Sequence, residues 1–187
     1  MDKELKVYED LDKLKVAVIH IRKESVKGSM VEKLSLVEAA GVEEKDLDAM
    51  LERVLEFPEM IDLRRVTDNE GIEYLYSGTE MSEKYAEILM GVKNKDLMKL
   101  IADTVRYESR VYPRTTHLKL FTKKPYMIEE GALIELLENM GENSEYSDLK
   151  YNEASNGTKF IYSTRYLDPF YAGKLTEWNE VLQKEIP

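Results

Sequence analysis

Two histidines, His20 and His117, are the imidazoles of a 187-residue chain that contains no cysteine. Without thiols, a disulfide framework, thiol catalysis and cysteine-ligated zinc or iron–sulfur centres are excluded. The sequence holds no H-E-x-x-H, no G-x-S-x-G and no G-x-x-x-x-G-K-[ST], so zincin, hydrolase-elbow and P-loop chemistry have no support. Its nine glycines never fall as G-x-G-x-x-G, the pattern that lets backbone approach a pyrophosphate. Asp62 with Asp68-Asn69-Glu70 lacks calcium-loop spacing. The acid pairs Glu43-Glu44 and Glu129-Glu130 open helices, where carboxylates complement the helix dipole. Asn156-Gly157-Thr158 matches a glycosylation sequon but reads as a hairpin turn. The expectation is a protein without catalytic residues, metal or cofactor.

One stretch is chemically dense. Between residues 106 and 126 stand Arg106, Arg110, Arg114, Lys119, Lys123 and Lys124 against the single acid Glu108, with Tyr107, Tyr112, Phe121 and Tyr126 interleaved and His117 beside them. Cations alternating with aromatics hold phosphates and stack bases, or recognise an acidic protein surface. The plainer alternative is that the tyrosines finish a core and the cations neutralise acids of the same fold. Four-residue spacing predicts rows on successive helices, Arg106–Arg110–Arg114 on one and Lys119–Lys123 on the next, with Pro113 marking the first helix end.

The elements that position these residues come twice. A shift of 86 positions lays residues 10–89 on 96–175 without a gap and gives 21 identities in 80 positions. Among them are Lys33-Leu34 on Lys119-Leu120, Asp62-Leu63 on Asp148-Leu149, and Tyr76-Ser77 on Tyr162-Ser163. The sequence therefore predicts an internal duplication, with domains 1–90 and 91–187, the second ending in an extended helix. Each copy opens with an amphipathic helix, Leu11, Leu14, Val18 and Ile21 marking its apolar face over about 9–24 in copy one. A second helix is expected from a capping box at Ser29-Met30-Val31-Glu32, with Thr115 at the same cap position in copy two. Ala39-Ala40-Gly41 ends it, and a third helix spans about 43–56. Two short strands follow, 60–66 and 72–76, then 148–152 and 158–162, turning at Asn69–Gly71 and at Asn156-Gly157. Closing helices are capped by Ser82 and by Asp168-Pro169.

This order of three helices, a hairpin and a closing helix resembles the winged helix-turn-helix superfamily. The expected fold class is α+β, mostly helical, as two winged-helix-like domains. Pro125 and Tyr126-Met127 replace the Ala39-Ala40-Gly41 turn, so the second helix-turn-helix is expected to be distorted. The resemblance implies DNA binding through helix three and the wing, with Arg64, Arg65 and Lys150 as wing contacts. The residues oppose it. Helix three of copy one carries Glu43, Glu44, Asp46, Asp48, Glu52 and Glu56 against Lys45 and Arg53, and that of copy two carries Glu129, Glu130, Glu135 and Glu138 with no cation. Such faces repel phosphates, or are simply solvated.

The whole chain has a formal net charge of −10, which argues against a nucleic-acid-coating protein. Residues 1–90 hold 13 basic against 22 acidic side chains and residues 91–187 hold 14 against 15, so the copies have diverged electrostatically. The longest apolar run, Val16-Ala17-Val18-Ile19, is too short to span a bilayer, and the charged start Met1-Asp2-Lys3-Glu4 lacks a signal core. A cytoplasmic protein without a membrane partner is expected. Trp178 shares a terminal-helix stripe with Tyr171, Leu175 and Leu182; core packing is the ordinary reading and a homodimer interface the sharper one. Two functions remain: a non-catalytic adaptor or regulatory protein binding another protein, or a DNA-binding transcriptional regulator using the basic stretch and the wings.

Overall fold

The computed structural model describes residues 2–41, 44–53 and 62–182. The fold is α+β, and the chain divides into two compact units, Met1–Met90 and Gly91–Pro187.

The first unit runs α1 (Asp2–Val26), β1 (Val31–Glu32), α2 (Lys33–Ala40), α3 (Glu44–Arg53), β2 (Leu63–Thr67), β3 (Glu73–Ser77) and α4 (Glu83–Lys93). Its strands form an antiparallel sheet in the order β1-β3-β2, with Val31 opposite Leu75 and Thr67 opposite Glu73. Helical spacing puts Leu14, Ala17, Val18 and Ile21 on one face of α1, where they meet Leu36, Leu47, Leu51 and Leu75 in a buried core. Gly41 ends α2 in the left-handed region, at φ 62°, where a glycine carries no Cβ penalty. At the hairpin, the Asp68 carboxylate accepts from the backbone N–H of Glu70 and Ile72, both at 2.9 Å, and Gly71 takes φ 85°. The Ser82 hydroxyl accepts from the Tyr85 N–H at the start of α4, the cap read from the sequence.

The second unit runs α5 (Leu97–Val111), β4 (Thr116–His117), a 3-10 turn (Leu118–Leu120), α6 (Glu130–Glu142), β5 (Leu149–Glu153), β6 (Lys159–Ser163) and α7 (Pro169–Glu177), which passes into one π-helical turn, Trp178–Leu182. Its sheet has the order β4-β6-β5, with Thr116 opposite Ile161 and Glu153 opposite Lys159. Gly157 turns the hairpin at φ 82°, and Asp168 caps α7 by accepting from Phe170 and Tyr171 N–H. Ile101, Ala102 and Val105 of α5 are fully buried, as are Phe121 and Ile161, and Phe121 meets Tyr126 edge-to-face at 5.1 Å.

Three expectations need correction. Ser29 does not cap α2: Val31 and Glu32 pair with β3, so their backbone groups are satisfied in a ladder, and α2 starts at Lys33 with Glu32 as its N-cap. Thr115 caps no helix either. After β4 only the 3-10 turn forms, His117 Nδ1 accepting from Lys119 N–H at 3.0 Å, and Pro125 lacks the N–H that a continuing helix would need. The uniform shift of 86 also fails in the first helix. Arg22 and Ser25 occupy the positions of Arg106 and Ser109, 84 residues on; Val31 matches Thr116 at 85, and Ser77 matches Ser163 at 86. Unit two thus has one extra residue before its first strand and another before its hairpin. Glu43, Glu56 and the expected strand start at 60–61 lie outside the described residues.

Candidate functional site

The basic stretch does not fold as one row. Arg106 turns inward, its side chain 17% exposed, and donates to both oxygens of Asp148 and to the Glu145 carbonyl. Ser163 adds a hydroxyl to Asp148 at 2.6 Å, and the Ser109 hydroxyl accepts from Ser163 N–H. Burial pushes the Asp148 carboxyl up, but Arg106, Ser163 and Arg165 outweigh it and hold it below the ordinary carboxylate range. Unit one repeats the arrangement: Arg22 pairs with Asp62, Ser77 donates to Asp62 at 2.5 Å, and Ser25 accepts from Ser77 N–H. These networks join helix to hairpin and are structural counter-charges. Arg114 lies beyond α5, pairs with Glu108 and sits 4.8 Å from the Tyr112 ring, while Tyr107 packs edge-on against Tyr112.

Arg110, Lys119, Lys123 and Lys124 are exposed, and none makes an ion pair among the described residues. Lys119 stands on the 3-10 turn and Lys123 after it, so the expected second helical row is absent. Arg64 and Arg65 are exposed on β2, and Lys150 on β5; their cross-strand partners are Tyr76, Leu75 and Tyr162. His117 is occupied as the turn's cap and packs 4.9 Å from Phe160. Among the described residues, no group of three or more metal-ligating side chains forms, and no helix is long and apolar enough to cross a membrane.

Unit two also carries a concave surface outside the sequence expectations. It lies between α6 and the β5–β6 hairpin, as two adjoining grooves of about 590 and 470 Å³ that share Leu118, Ile134, Leu137 and Lys159. Its walls are set by local chemistry. Glu129 caps α6 through Ala132 N–H, and Asn156 Oδ1 accepts from Thr158 N–H at the hairpin tip. Tyr151, 47% exposed, donates its hydroxyl to the Leu137 carbonyl at 3.4 Å, and Ile134 is 55% exposed. Desolvation beside α6 pushes the Tyr151 phenol up. The Asn152 amide nitrogen, also lining the groove, is buried without a hydrogen-bond partner. A signal was present in Leu133-Ile134-Glu135-Leu136-Leu137: four apolar residues in five exceed what one helix face can bury.

Unit one closes the same corner. Lys33 Nζ lies 2.6 Å from Asp48 and 2.7 Å from Glu73, tying α2, α3 and β3 together. The matching positions of unit two are Leu118, Ile134 and Lys159, all of which line the groove. Where unit one holds an ion-paired clasp, unit two presents an open, largely apolar surface. Exposed acids flank it on α6, at Glu135, Glu138 and Glu142. The arrangement offers apolar contact and a buried amide donor.

Residues 95–184, nearly the whole second unit, match a family model described as the YdhW C-terminal domain. The chain is 29% identical over 168 residues to a protein of Escherichia coli (strain K12) whose name reads "Uncharacterized protein YdhW", covering 89% of this chain and 78% of that one. No solved structure matches the chain. The groove, the Arg106–Asp148 network and α7 all fall inside the segment similar to the YdhW C-terminal domain.

Proposed function

We propose that the chain is a duplicated tandem of winged-helix-like domains acting in the cytoplasm as a non-catalytic adaptor or regulatory protein. Its second unit seats an apolar segment of another protein between α6 and the hairpin. The observation that carries this reading is the exchange of the Lys33 clasp for the Leu118–Ile134–Lys159 groove. In a winged helix, that corner of helix three and wing faces the DNA. Here it presents Ile134 and Tyr151 between acids, which suits a protein segment and repels phosphates.

The test is capture from a native-host lysate, analysed for both protein and nucleic acid, with the unmodified chain and with Ile134→Asp. A protein retained by the first and lost by the second supports the reading; equal retention by both overturns it. The second reading, a DNA-binding regulator, draws on the exposed cations Arg110, Lys119, Lys123 and Lys124 and on Arg64, Arg65 and Lys150. Retention of nucleic acid that is lost in Arg110→Glu/Lys123→Glu would favour it.

A further inference from the structure

The C-terminal helix is apolar on the wrong side. Toward its own unit α7 turns small residues: Ala172 and Thr176 are fully buried, and the Thr176 hydroxyl meets that of Thr115. The hairpin side is held by polar contacts. Ser155 donates its N–H and hydroxyl to Glu177, and Asn156 donates to Glu180. The opposite side carries Tyr171, Trp178 and Leu182, each 43–49% exposed, with Leu175 part-buried between them. An amphipathic surface helix normally buries its large apolar residues and exposes its small polar ones. Here the order is inverted, and the core packing expected of Trp178 does not occur.

We infer that this outer stripe of α7 and its π-helical turn is the interface of a two-fold symmetric homodimer, its occupant the same stripe of a second copy. The spacing supports self-recognition. Tyr171, Leu175, Trp178 and Leu182 are separated by four, three and four residues, a pattern that is the same read in either direction. Two antiparallel copies therefore set Tyr171 against Leu182 and Leu175 against Trp178, an aromatic facing a leucine at every level, as an isologous interface requires. The stripe's four side chains, each offering at most on the order of 100 Å², bury up to about 800 Å² in a pair of copies, the size of a weak and reversible association. This inference is independent of the groove and of its occupant.

Trp178 is the single tryptophan, so its emission reports on this surface alone. The full chain is measured by sedimentation and by tryptophan fluorescence between about 1 and 200 μM, a range that brackets weak specific association. The expected result is a rise from monomer to dimer mass with a blue shift that follows the same curve. Tyr171→Glu and Leu182→Lys should each abolish both signals while circular dichroism keeps the unmodified spectrum. Because the two positions face each other across the two-fold axis, the Tyr171→Glu/Leu182→Lys double variant should recover the dimer in low salt. A monomer over the whole range overturns the inference, whether Trp178 emits as exposed or as covered by its own chain. A dimer that survives both single variants overturns it equally, and a double variant that stays monomeric rules out the antiparallel register.

Discussion

Arg106 and Asp148, 42 positions apart in sequence, are joined by two parallel hydrogen bonds, Nε to Oδ2 at 3.1 Å and Nη2 to Oδ1 at 2.6 Å. Parallel N–H donors matched to a carboxylate are the strong form of an ion pair. Arg22 and Asp62 repeat it in unit one, but the Arg22 side chain is 38% exposed where that of Arg106 is 17%. Removing the acid strands a more deeply placed charge in unit two. Asp148→Asn is expected to destabilise the chain by about 3 kcal/mol, whereas Asp62→Asn costs about 1 kcal/mol because solvent screens the exposed partner. Urea denaturation of the two variants measures the difference, and the reverse ranking would contradict it.

The same pairs set the response to acid. Arg22 holds Asp62 below the ordinary range, and Arg106 and Ser163 overcome burial to do so at Asp148. Folded-state values below the unfolded value of about 3.9 mean that the unfolded chain binds more protons as pH falls. The stabilisation is therefore complete above about pH 5 and drains away through pH 4 and below. Melting temperatures taken from pH 7 to pH 3 should fall along this limb, less steeply for Asp148→Asn. A variant that falls as steeply as the parent would show that other carboxylates govern it.

Within the basic stretch the cations should separate by role. Arg110→Glu/Lys123→Glu should leave the melting temperature within a few degrees, since exposed substitutions usually cost under about 0.5 kcal/mol. Arg106→Glu should unfold unit two, because it sets two carboxylates against each other beside buried Ser163. Thermal melts of both variants decide this.

Duplex DNA should bind no more tightly than the non-specific range of about 10⁻⁴ to 10⁻⁶ M at physiological salt. Asp46 and Glu52 are exposed on α3, and changing both to lysine should strengthen that binding by removing like-charge repulsion. Fluorescence anisotropy with a labelled duplex measures it; a nanomolar, sequence-specific complex of the unmodified chain would overturn the adaptor reading.

Much of this fold is legible in local chemistry. Asn156-Gly157 and Asp168-Pro169 state a turn and a helix start without help from distant residues, and the structure places both there. Ser29 carries a local cap signal, but Val31 has a long-range use, pairing with Leu75, that local spacing does not contain. The gap-free alignment hid a short motif, Arg22-Lys23-Glu24-Ser25 and Arg106-Tyr107-Glu108-Ser109, which only a shift of 84 brings together. A shift of 86 sets Asp62 on Asp148 and Ser77 on Ser163, yet their role depends on the arginines, which that shift separates. The groove is harder to read for a different reason: Leu118, Ile134 and Lys159 come from three elements far apart in sequence, and only the tertiary fold brings them together.

The exchange at the corner of helix three and hairpin gives the two units opposite sensitivities to their solvent. Lys33, Asp48 and Glu73 hold unit one together by charge, and the acids are 52% and 33% exposed, so added salt weakens that clasp. Leu118, Ile134 and Tyr151 leave a largely apolar surface open in unit two, and excluded salts such as sulfate strengthen apolar contacts of that kind. An excluded salt thus loosens the charged corner of unit one while favouring burial of the apolar corner of unit two.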